Sequence, residues 1–312
     1  MTAETPNTNS ANIETDPATA KLMKMATYLA VSVALILVVF KFGAWISTES
    51  LSLLSTLIDS LLDAGASLIN LLAVRHALQP ADKEHRFGHG KAEPLAGLVQ
   101  AAFISGSALF ILLEAGDRFL HPREVVNTNV GYGVMGLSII LTVALVGFQR
   151  YVVRKTGSVA IQADSIHYKM DVLVNIAVVV SLVLVSQFGW SIADPLFAVA
   201  IALYIFHGAW EVGSSSLNLL MDQELPMEDR KRIEDIAISQ PGVLGLHDMR
   251  TRSSGLNVFI QFHLDMDGEI TLNEAHDITE GVMYKIEEAF PNAEVLIHED
   301  PAGVEERRVS FD

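Results

Sequence analysis

Six long apolar stretches occupy residues 25 to 220 of this 312-residue chain, and short polar connections separate them. A helix needs about 20 consecutive, mostly apolar residues to cross a bilayer, and each stretch is long enough. We predict spans at residues 25–46, 51–77, 94–120, 130–153, 159–188 and 192–220. The pattern therefore indicates an all-α, six-helix transmembrane domain over residues 21–221.

Polar residues inside the second and fifth stretches recur every three or four positions. They are Ser52, Thr56, Asp59, Asp63, Ser67 and Asn70 in the second stretch, and Asp164, His167, Asp171 and Asn175 in the fifth. On a helix this spacing forms one polar stripe along an otherwise apolar surface. Charged groups inside a membrane are costly, so we interpret the two stripes as a functional site rather than a chance arrangement.

Two pairs of side chains in these stripes carry the chemistry. Asp59 and Asp63 are four residues apart, as are His167 and Asp171, so each pair points one way from its helix. The two spans run antiparallel, and a rise of about 1.5 Å per residue places both pairs near mid-membrane. Three carboxylates and one imidazole suit a tetrahedral divalent ion, zinc above all, at about 2.0–2.2 Å. The alternatives are a proton relay and a hydrogen-bond network that holds the helices together.

Beyond residue 221 the pattern changes to amphipathic helices and alternating strands. A first helix ends before Pro241-Gly242, and two strands follow, joined by polar turn residues. Thr271 and Glu274 form a capping-box pattern that opens a second helix, and a last alternating strand follows it. The order αββαβ predicts a small cytoplasmic α+β domain, metallochaperone-like, over residues 222–301. Residues 1–20 are predicted to be a disordered tail and residues 302–312 a charged C-terminal tail.

Two further groups of histidines lie outside the predicted spans. The connection after the second span holds Asp82, His85 and His89, and its Gly88 and Gly90 allow the loop to fold around an ion. The alternative for this loop is simple solvation. The soluble domain holds His247, His263, His276, His298 and Asp300. His298 and Asp300 are two apart on a strand and face the same way, which suits metal binding; the alternative is an accidental grouping of surface histidines.

Composition narrows the possible functions. The chain has no cysteine, so a metal site has to use histidine and carboxylate ligands. The net charge of −16 argues against nucleic acid as a partner. Lys and Arg concentrate before the first span and in the second and fourth connections, which predicts that both termini are cytoplasmic. We find no nucleophile, phosphate loop or cofactor fingerprint, so an enzyme is not expected, and no ordinary signal peptide is seen.

Together these motifs resemble the cation diffusion facilitator family over about residues 20–300. The motifs are DSLLD at 59–63, DKEHRFGHGKAEPLAG at 82–97, ADSIHYKMD at 163–171 and HEDP at 298–301. The resemblance implies a transport site made of Asp59, Asp63, His167 and Asp171, and a loop site made of Asp82, His85 and His89. It also implies a binuclear cytoplasmic zinc site made of His247, His263, His276, His298 and Asp300, at a dimer interface.

The resemblance also implies how such a protein works. It implies a homodimer in a bacterial inner membrane, in which Lys91 and Asp222 form a charge pair near the membrane surface. It implies efflux of Zn²⁺, with Cd²⁺ and Fe²⁺ as further substrates, in exchange for external H⁺ by alternating access. Two alternatives are a membrane-tethered zinc sensor and a cation channel independent of the proton gradient.

Overall fold

The structure is a computed structural model that describes residues 16–48, 51–120, 129–188 and 193–303. Most of the two predicted tails lies outside the described residues. The elements are α1 Pro17–Thr48, α2 Leu51–Ala77, α3 Ala92–Leu120, α4 Asn129–Thr156, α5 Val159–Phe188, α6 Ala193–Leu220, α7 Met227–Ile238, β1 Val243–Ser254, β2 Asn257–Met266, α8 Leu272–Ala289 and β3 Ala293–Pro301. Helix α1 begins at Pro17, inside the segment predicted as the tail, because the residues before the apolar stretch continue its helix.

The chain forms two compact units. One comprises residues 17–78 and 91–217, with nearly all of α1 to α6, and the other comprises residues 79–90 and 218–312. Among the described residues, α1, α2, α3, α4 and α6 are each long and apolar enough to cross a membrane. Helix α5 has 30 residues and carries the second polar stripe. The predicted helical membrane domain with a separate α+β domain is therefore confirmed.

Helix α5 lies at the centre of the membrane unit, in contact with α1, α2, α3 and α4. One of its faces places Tyr168 in a core with Ala30 and Leu37 of α1 and Leu145 of α4. The opposite face places Met170 in a core with residues of α3 and α6, such as Ile205. Large apolar side chains on the outside of the bundle, such as Phe110 and Leu113, are exposed, which suits contact with lipid.

The second unit is built on a three-stranded sheet in the order β1-β2-β3. Strands β1 and β2 form an antiparallel hairpin, and β2 and β3 pair in parallel across the α8 connection. The apolar core takes Ile233 from α7, Ile260 and Phe262 from β2, and Val282 and Ile286 from α8. The predicted αββαβ order is thus the observed one.

Candidate metal sites

The two polar stripes meet inside the membrane unit. Ligand atoms of Asp63, His167 and Asp171 all lie within 4.8 Å of one another. His167 Nε2 lies 2.9 Å from Asp63 Oδ1, and only 6% of His167 is exposed. The second His167 nitrogen, Nδ1, is buried without a hydrogen-bond partner among the described residues. Two carboxylates and an imidazole this close together can bind a divalent cation and leave coordination positions open.

Asp59, the fourth ligand implied by the resemblance, lies outside this cluster. It is one turn before Asp63 on α2 and is exposed. It is still close enough to Asp63 to interact with it electrostatically. Its role as a ligand therefore stays a prediction.

Asp164, the first residue of the polar stripe on α5, belongs to a buried hydrogen-bond network next to the cluster. Gln149 Nε2 of α4 donates to Asp164 Oδ2 at 2.6 Å, and Ser67 Oγ of α2 donates to Asp164 Oδ1 at 3.4 Å. Ser67 Oγ is also 2.7 Å from the hydroxyl of Tyr168, which donates to the carbonyl oxygen of Ala30 on α1 at 3.4 Å. The network joins four helices, and it fixes α5 one turn from His167.

A second buried carboxylate fixes the beginning of α5. Ser158 caps the helix, because its Oγ accepts a hydrogen bond from the backbone N–H of Ile161 at 3.2 Å. Glu93 of α3 accepts from the Ser158 hydroxyl and from the backbone N–H of Ala160. Negative charge at a helix N-terminus is favourable, so Glu93 secures α5 against α3. Sequence reasoning missed Glu93, because its partner is 65 residues away.

Sequence reasoning also missed Lys41, which lies inside the apolar stretch of α1. Its ammonium group donates to Ser60 Oγ of α2 at 2.6 Å and to the carbonyl oxygen of Thr56 at 3.2 Å. A single lysine between Phe40 and Phe42 in a membrane helix is the signal that could have identified it.

The loop between α2 and α3 brings its three predicted ligands together. Ligand atoms of Asp82, His85 and His89 lie within 4.8 Å of one another, with His89 Nε2 at 3.3 Å from Asp82 Oδ2. The carboxylate of Asp82 accepts backbone hydrogen bonds from His85 and Glu84, at 2.6 and 2.9 Å. These bonds lower the pKa of Asp82, so the group stays ionised as a ligand requires.

This loop is anchored on the β1–β2 hairpin of the same unit. The Arg252 guanidinium lies 4.8 Å from the ring centre of Phe87 and 4.9 Å from that of Phe259. At Gly90 a Cβ would collide with the carbonyl oxygen of Ser254, so only glycine allows this close approach. Gly90 thus allows the loop to pack closely against the β1–β2 hairpin, and the three ligands lie next to this contact.

Strand pairing places three histidines in one row across the sheet. His247 on β1 pairs with His263 on β2, which pairs with His298 on β3. Asp300 lies among them, with its Oδ2 at 2.7 Å from His263 Nδ1 and 3.4 Å from His247 Nε2, and its Oδ1 at 3.0 Å from His298 Nε2. His247, His263 and Asp300 form a candidate metal cluster, and 62% of the His298 side chain is exposed beside it.

The structure also shows a carboxylate here that sequence reasoning missed. Asp265 Oδ2 lies 3.3 Å from His247 Nδ1, so Asp265 orients this ring while Nε2 faces Asp300. Such a hydrogen bond on the far nitrogen is typical of metal-binding histidines. His276, on α8, is exposed and lies outside the clusters found among the described residues.

The predicted charge pair of Lys91 and Asp222 involves one residue from each unit. Asp222 lies 3.4 Å from the guanidinium of Arg252 in its own unit. The pair itself stays a prediction.

Comparison with known proteins places the chain in a family. Residues 27–221 match the cation efflux transmembrane domain, and residues 225–302 match the cytoplasmic domain of cation efflux proteins. The cation-efflux pump FieF of Shewanella oneidensis is 50% identical over 283 residues, which are 91% of this chain and 95% of that protein. FieF of Yersinia pestis is 48% identical over 289 residues, 93% of this chain and 96% of the relative.

Two of the solved structures that the chain resembles cover about a quarter of it. A zinc-form structure of CzrB is 33% identical, covers 28% of this chain and all of that one, and gives a TM-score of 0.25. A nickel form of the MamM C-terminal domain is 25% identical, covers 24% of this chain and 98% of that one, and gives a TM-score of 0.24. Because the two family domains cover most of the chain and the FieF relatives match along nearly their whole length, the resemblance to the cation diffusion facilitators is confirmed, and the chain belongs to the cation efflux family.

Proposed function

We propose that the protein exports divalent metal cations, Zn²⁺ first, in exchange for protons and as a homodimer. The observation that carries the proposal is the cluster of Asp63, His167 and Asp171, whose ligand atoms lie within 4.8 Å of one another between α2 and α5. Its donor set of oxygen and nitrogen suits zinc, and ionisable groups inside a membrane domain are typical of ion pathways. The relatives named as cation-efflux pumps support the same reaction.

Proton exchange is proposed because the same atoms bind metal and protons. A carboxylate or an imidazole has to lose its proton before it can act as a ligand, so metal binding releases protons and protonation releases metal. In an alternating-access cycle the cluster loads zinc on the cytoplasmic side and discharges it outside, where protons are more abundant. An inward proton gradient then drives metal outward. Asp59 is the proposed fourth ligand of the loaded site.

The direction of transport depends on the proposed orientation in a bacterial inner membrane. Lys21 and Lys24 precede the first span, and further basic residues lie in the second and fourth connections. Basic residues accumulate on the cytoplasmic side of membranes, so the histidine clusters of the second unit face the cytoplasm. The family match to a cytoplasmic domain over residues 225–302 supports this orientation.

The clusters in the second unit are proposed as zinc sites that serve structure and regulation rather than passage. His247, His263 and Asp300 are within reach of a single ion, with His298 beside them on Asp300, and Asp265 already orients one ring. The exposed His276 is proposed to complete a binuclear site across the dimer interface. Cd²⁺ and Fe²⁺ accept the same donor atoms and are proposed as further substrates.

Zinc flux into proteoliposomes tests the proposal against its two alternatives. The antiporter predicts zinc accumulation that depends on an imposed pH gradient and collapses when an ionophore dissipates it. A channel would pass zinc down its concentration gradient whether or not a pH gradient exists. A tethered sensor would bind zinc at the vesicle surface and move none, which would refute transport.

A further inference from the structure

Lys41 is a charged residue inside a membrane-spanning helix that none of the proposed metal sites uses. It lies on α1, seven residues before the last residue of that helix, Thr48. Its ammonium group donates to Ser60 Oγ at 2.6 Å and to the backbone carbonyl oxygen of Thr56 at 3.2 Å, both on α2. Ser60 is buried, with 3% of its surface exposed. The ammonium group is therefore held against the helix that carries Asp59 and Asp63.

The Lys41 side chain does not extend toward the membrane surface, as many lysines in membrane helices do. Seven residues of helix correspond to about 10 Å, and a surface-seeking side chain extends along its helix toward the nearer end. Here the amine instead reaches across to the second and third turns of α2, at Thr56 and Ser60. In most membrane proteins an ionisable side chain at this depth is paired with another group and has a function.

Two of the three carboxylates of the proposed transport site are close enough to Lys41 to interact with it. The ammonium group interacts electrostatically with Asp59 of α2 and with Asp171 of α5. Thr56 and Ser60 precede Asp63 on α2, so Lys41 lies between the metal cluster and the α1–α2 connection. Under the proposed orientation that connection is extracytoplasmic, and Lys41 lies beside the exit route of the metal.

The formal charges suggest what Lys41 does there. Asp59, Asp63 and Asp171 carry three negative charges when ionised, and one ammonium group leaves two, which a divalent cation neutralises. Without the lysine a bound divalent cation would still face one excess negative charge and be held more tightly. Low local dielectric makes such differences large, and a site that binds too tightly releases its ion slowly.

We propose that Lys41 is a tethered cation that competes with the transported metal for Asp59 and Asp171 and so promotes release toward the α1–α2 connection. The inference rests on the proposed function, because it assigns a role within the same transport cycle. It is distinct from a purely structural tie, in which the hydrogen bond to Ser60 would matter and the charge would not.

Three substitutions in the full-length protein separate charge from hydrogen bonding. Lys41→Gln removes the charge and Lys41→Arg keeps it. Ser60→Ala removes the side-chain acceptor, while the ammonium group and its backbone acceptor at Thr56 stay. Zinc affinity of the transport site is measured as the difference between each protein and its Asp63→Ala counterpart, so that the other zinc sites cancel. Zinc flux in proteoliposomes gives KM and maximal rate for the same proteins.

Competition by Lys41 predicts that Lys41→Gln tightens zinc binding and lowers KM about tenfold while the maximal rate falls. Lys41→Arg and Ser60→Ala should keep affinities within about twofold of the original, since both retain the positive charge. In an Asp59→Asn background the tightening caused by Lys41→Gln should shrink, because the two residues then no longer oppose each other.

Unchanged affinity in a folded Lys41→Gln protein overturns the inference, as does a Ser60→Ala protein that reproduces every effect of Lys41→Gln. Thermal unfolding of each purified variant shows whether it is folded, and Lys41→Arg provides the comparison if the glutamine variant unfolds early. The proposed function fails separately, if the unmodified protein moves no zinc. The affinity comparison still decides the role of Lys41 in that case.

Discussion

At the scale of single residues, the contact between His167 and Asp63 defines the proposed transport site. Nε2 of the histidine lies 2.9 Å from the carboxylate, and Asp171 joins them from the next turn of α5. Imidazole is the component that distinguishes this donor set from an all-oxygen site. All-oxygen sites suit harder cations such as manganese, whereas nitrogen favours zinc.

Replacing His167 by aspartate should therefore change which metals are moved. We expect His167→Asp to lose zinc flux by about tenfold relative to manganese flux, because the new site offers oxygen atoms alone. Uptake of both metals into proteoliposomes, measured separately and in competition, gives the ratio. An unchanged zinc-to-manganese ratio would mean that His167 does not select the metal.

The clustering of Asp63, His167 and Asp171 was predictable from sequence because their spacing repeats the helical period. Charged groups at three- and four-residue intervals inside apolar stretches indicate one helix face without any knowledge of packing. Lys41, Glu93 and Asp265 were not predictable in the same way, since each acts through a partner on another element. The position of Asp59 outside the cluster also depends on packing between helices.

At the scale of elements, helix α8 shows how a local motif fixes a boundary. Thr271 Oγ1 accepts from the backbone N–H of Glu274 at 3.3 Å, and the Glu274 carboxylate accepts from the backbone N–H of Thr271 at 2.8 Å. These two bonds form the capping box that the sequence predicted. The bonds from Thr271 also lower the pKa of Glu274, because they stabilise its charged form.

Removing the cap should destabilise the cytoplasmic domain in a pH-dependent way. We expect Thr271→Ala to cost about 1 kcal/mol of unfolding free energy at neutral pH. A lowered folded-state pKa stabilises the fold above the unfolded-state pKa, and this contribution disappears as pH falls through the folded-state value. The difference between the two proteins should thus narrow in acid. Denaturant unfolding of a fragment from residue 224 to 312 measures it, with exposed Asn273→Ala as a control.

A difference that stays constant down to acid pH would contradict the role of the Glu274 charge. The fragment is suitable for unfolding measurements because its apolar core, with Ile233, Phe262 and Ile286, lies wholly within residues 224–312.

The helices and strands were predicted well because the signals for each lie in its own sequence. Which of them pair or pack together could not be predicted in this way. The αββαβ order followed from alternation, turns and the capping box. The pairing of β2 with β3 in parallel, which aligns His263 with His298, is a property of the folded sheet. The docking of Phe87 against Arg252 and Phe259 likewise joins residues far apart in sequence.

At the scale of the whole molecule, a membrane unit with an ionisable cluster is combined with a second unit that holds two histidine clusters. Each unit matches its own part of the cation efflux family. We propose that the second unit binds cytoplasmic zinc, because its clusters of histidine and carboxylate ligands lie outside the membrane helices. Zinc bound there would stabilise the domain and its dimer without taking part in passage.

Zinc should therefore raise the melting temperature of the 224–312 fragment and shift it toward dimer. A ligand that binds only the folded state adds about 2.7 kcal/mol of stability at a hundredfold excess over its Kd. Thermal unfolding and sedimentation during a zinc titration measure both effects. The fragment that carries both His263→Ala and Asp300→Ala should show neither effect. If zinc raises the melting temperature of both fragments equally, these two residues do not bind it.

Simultaneous measurement of zinc and proton movement across one vesicle membrane tests the central claim most directly. Proteoliposomes with an imposed pH gradient would carry a zinc dye and a pH dye in the lumen, with Asp63→Ala vesicles as the matched control. The account predicts that zinc and protons move in opposite directions with a fixed ratio, and that Asp63→Ala abolishes both fluxes while the protein stays folded. Zinc movement without proton counterflow, or full flux in Asp63→Ala vesicles, would contradict it.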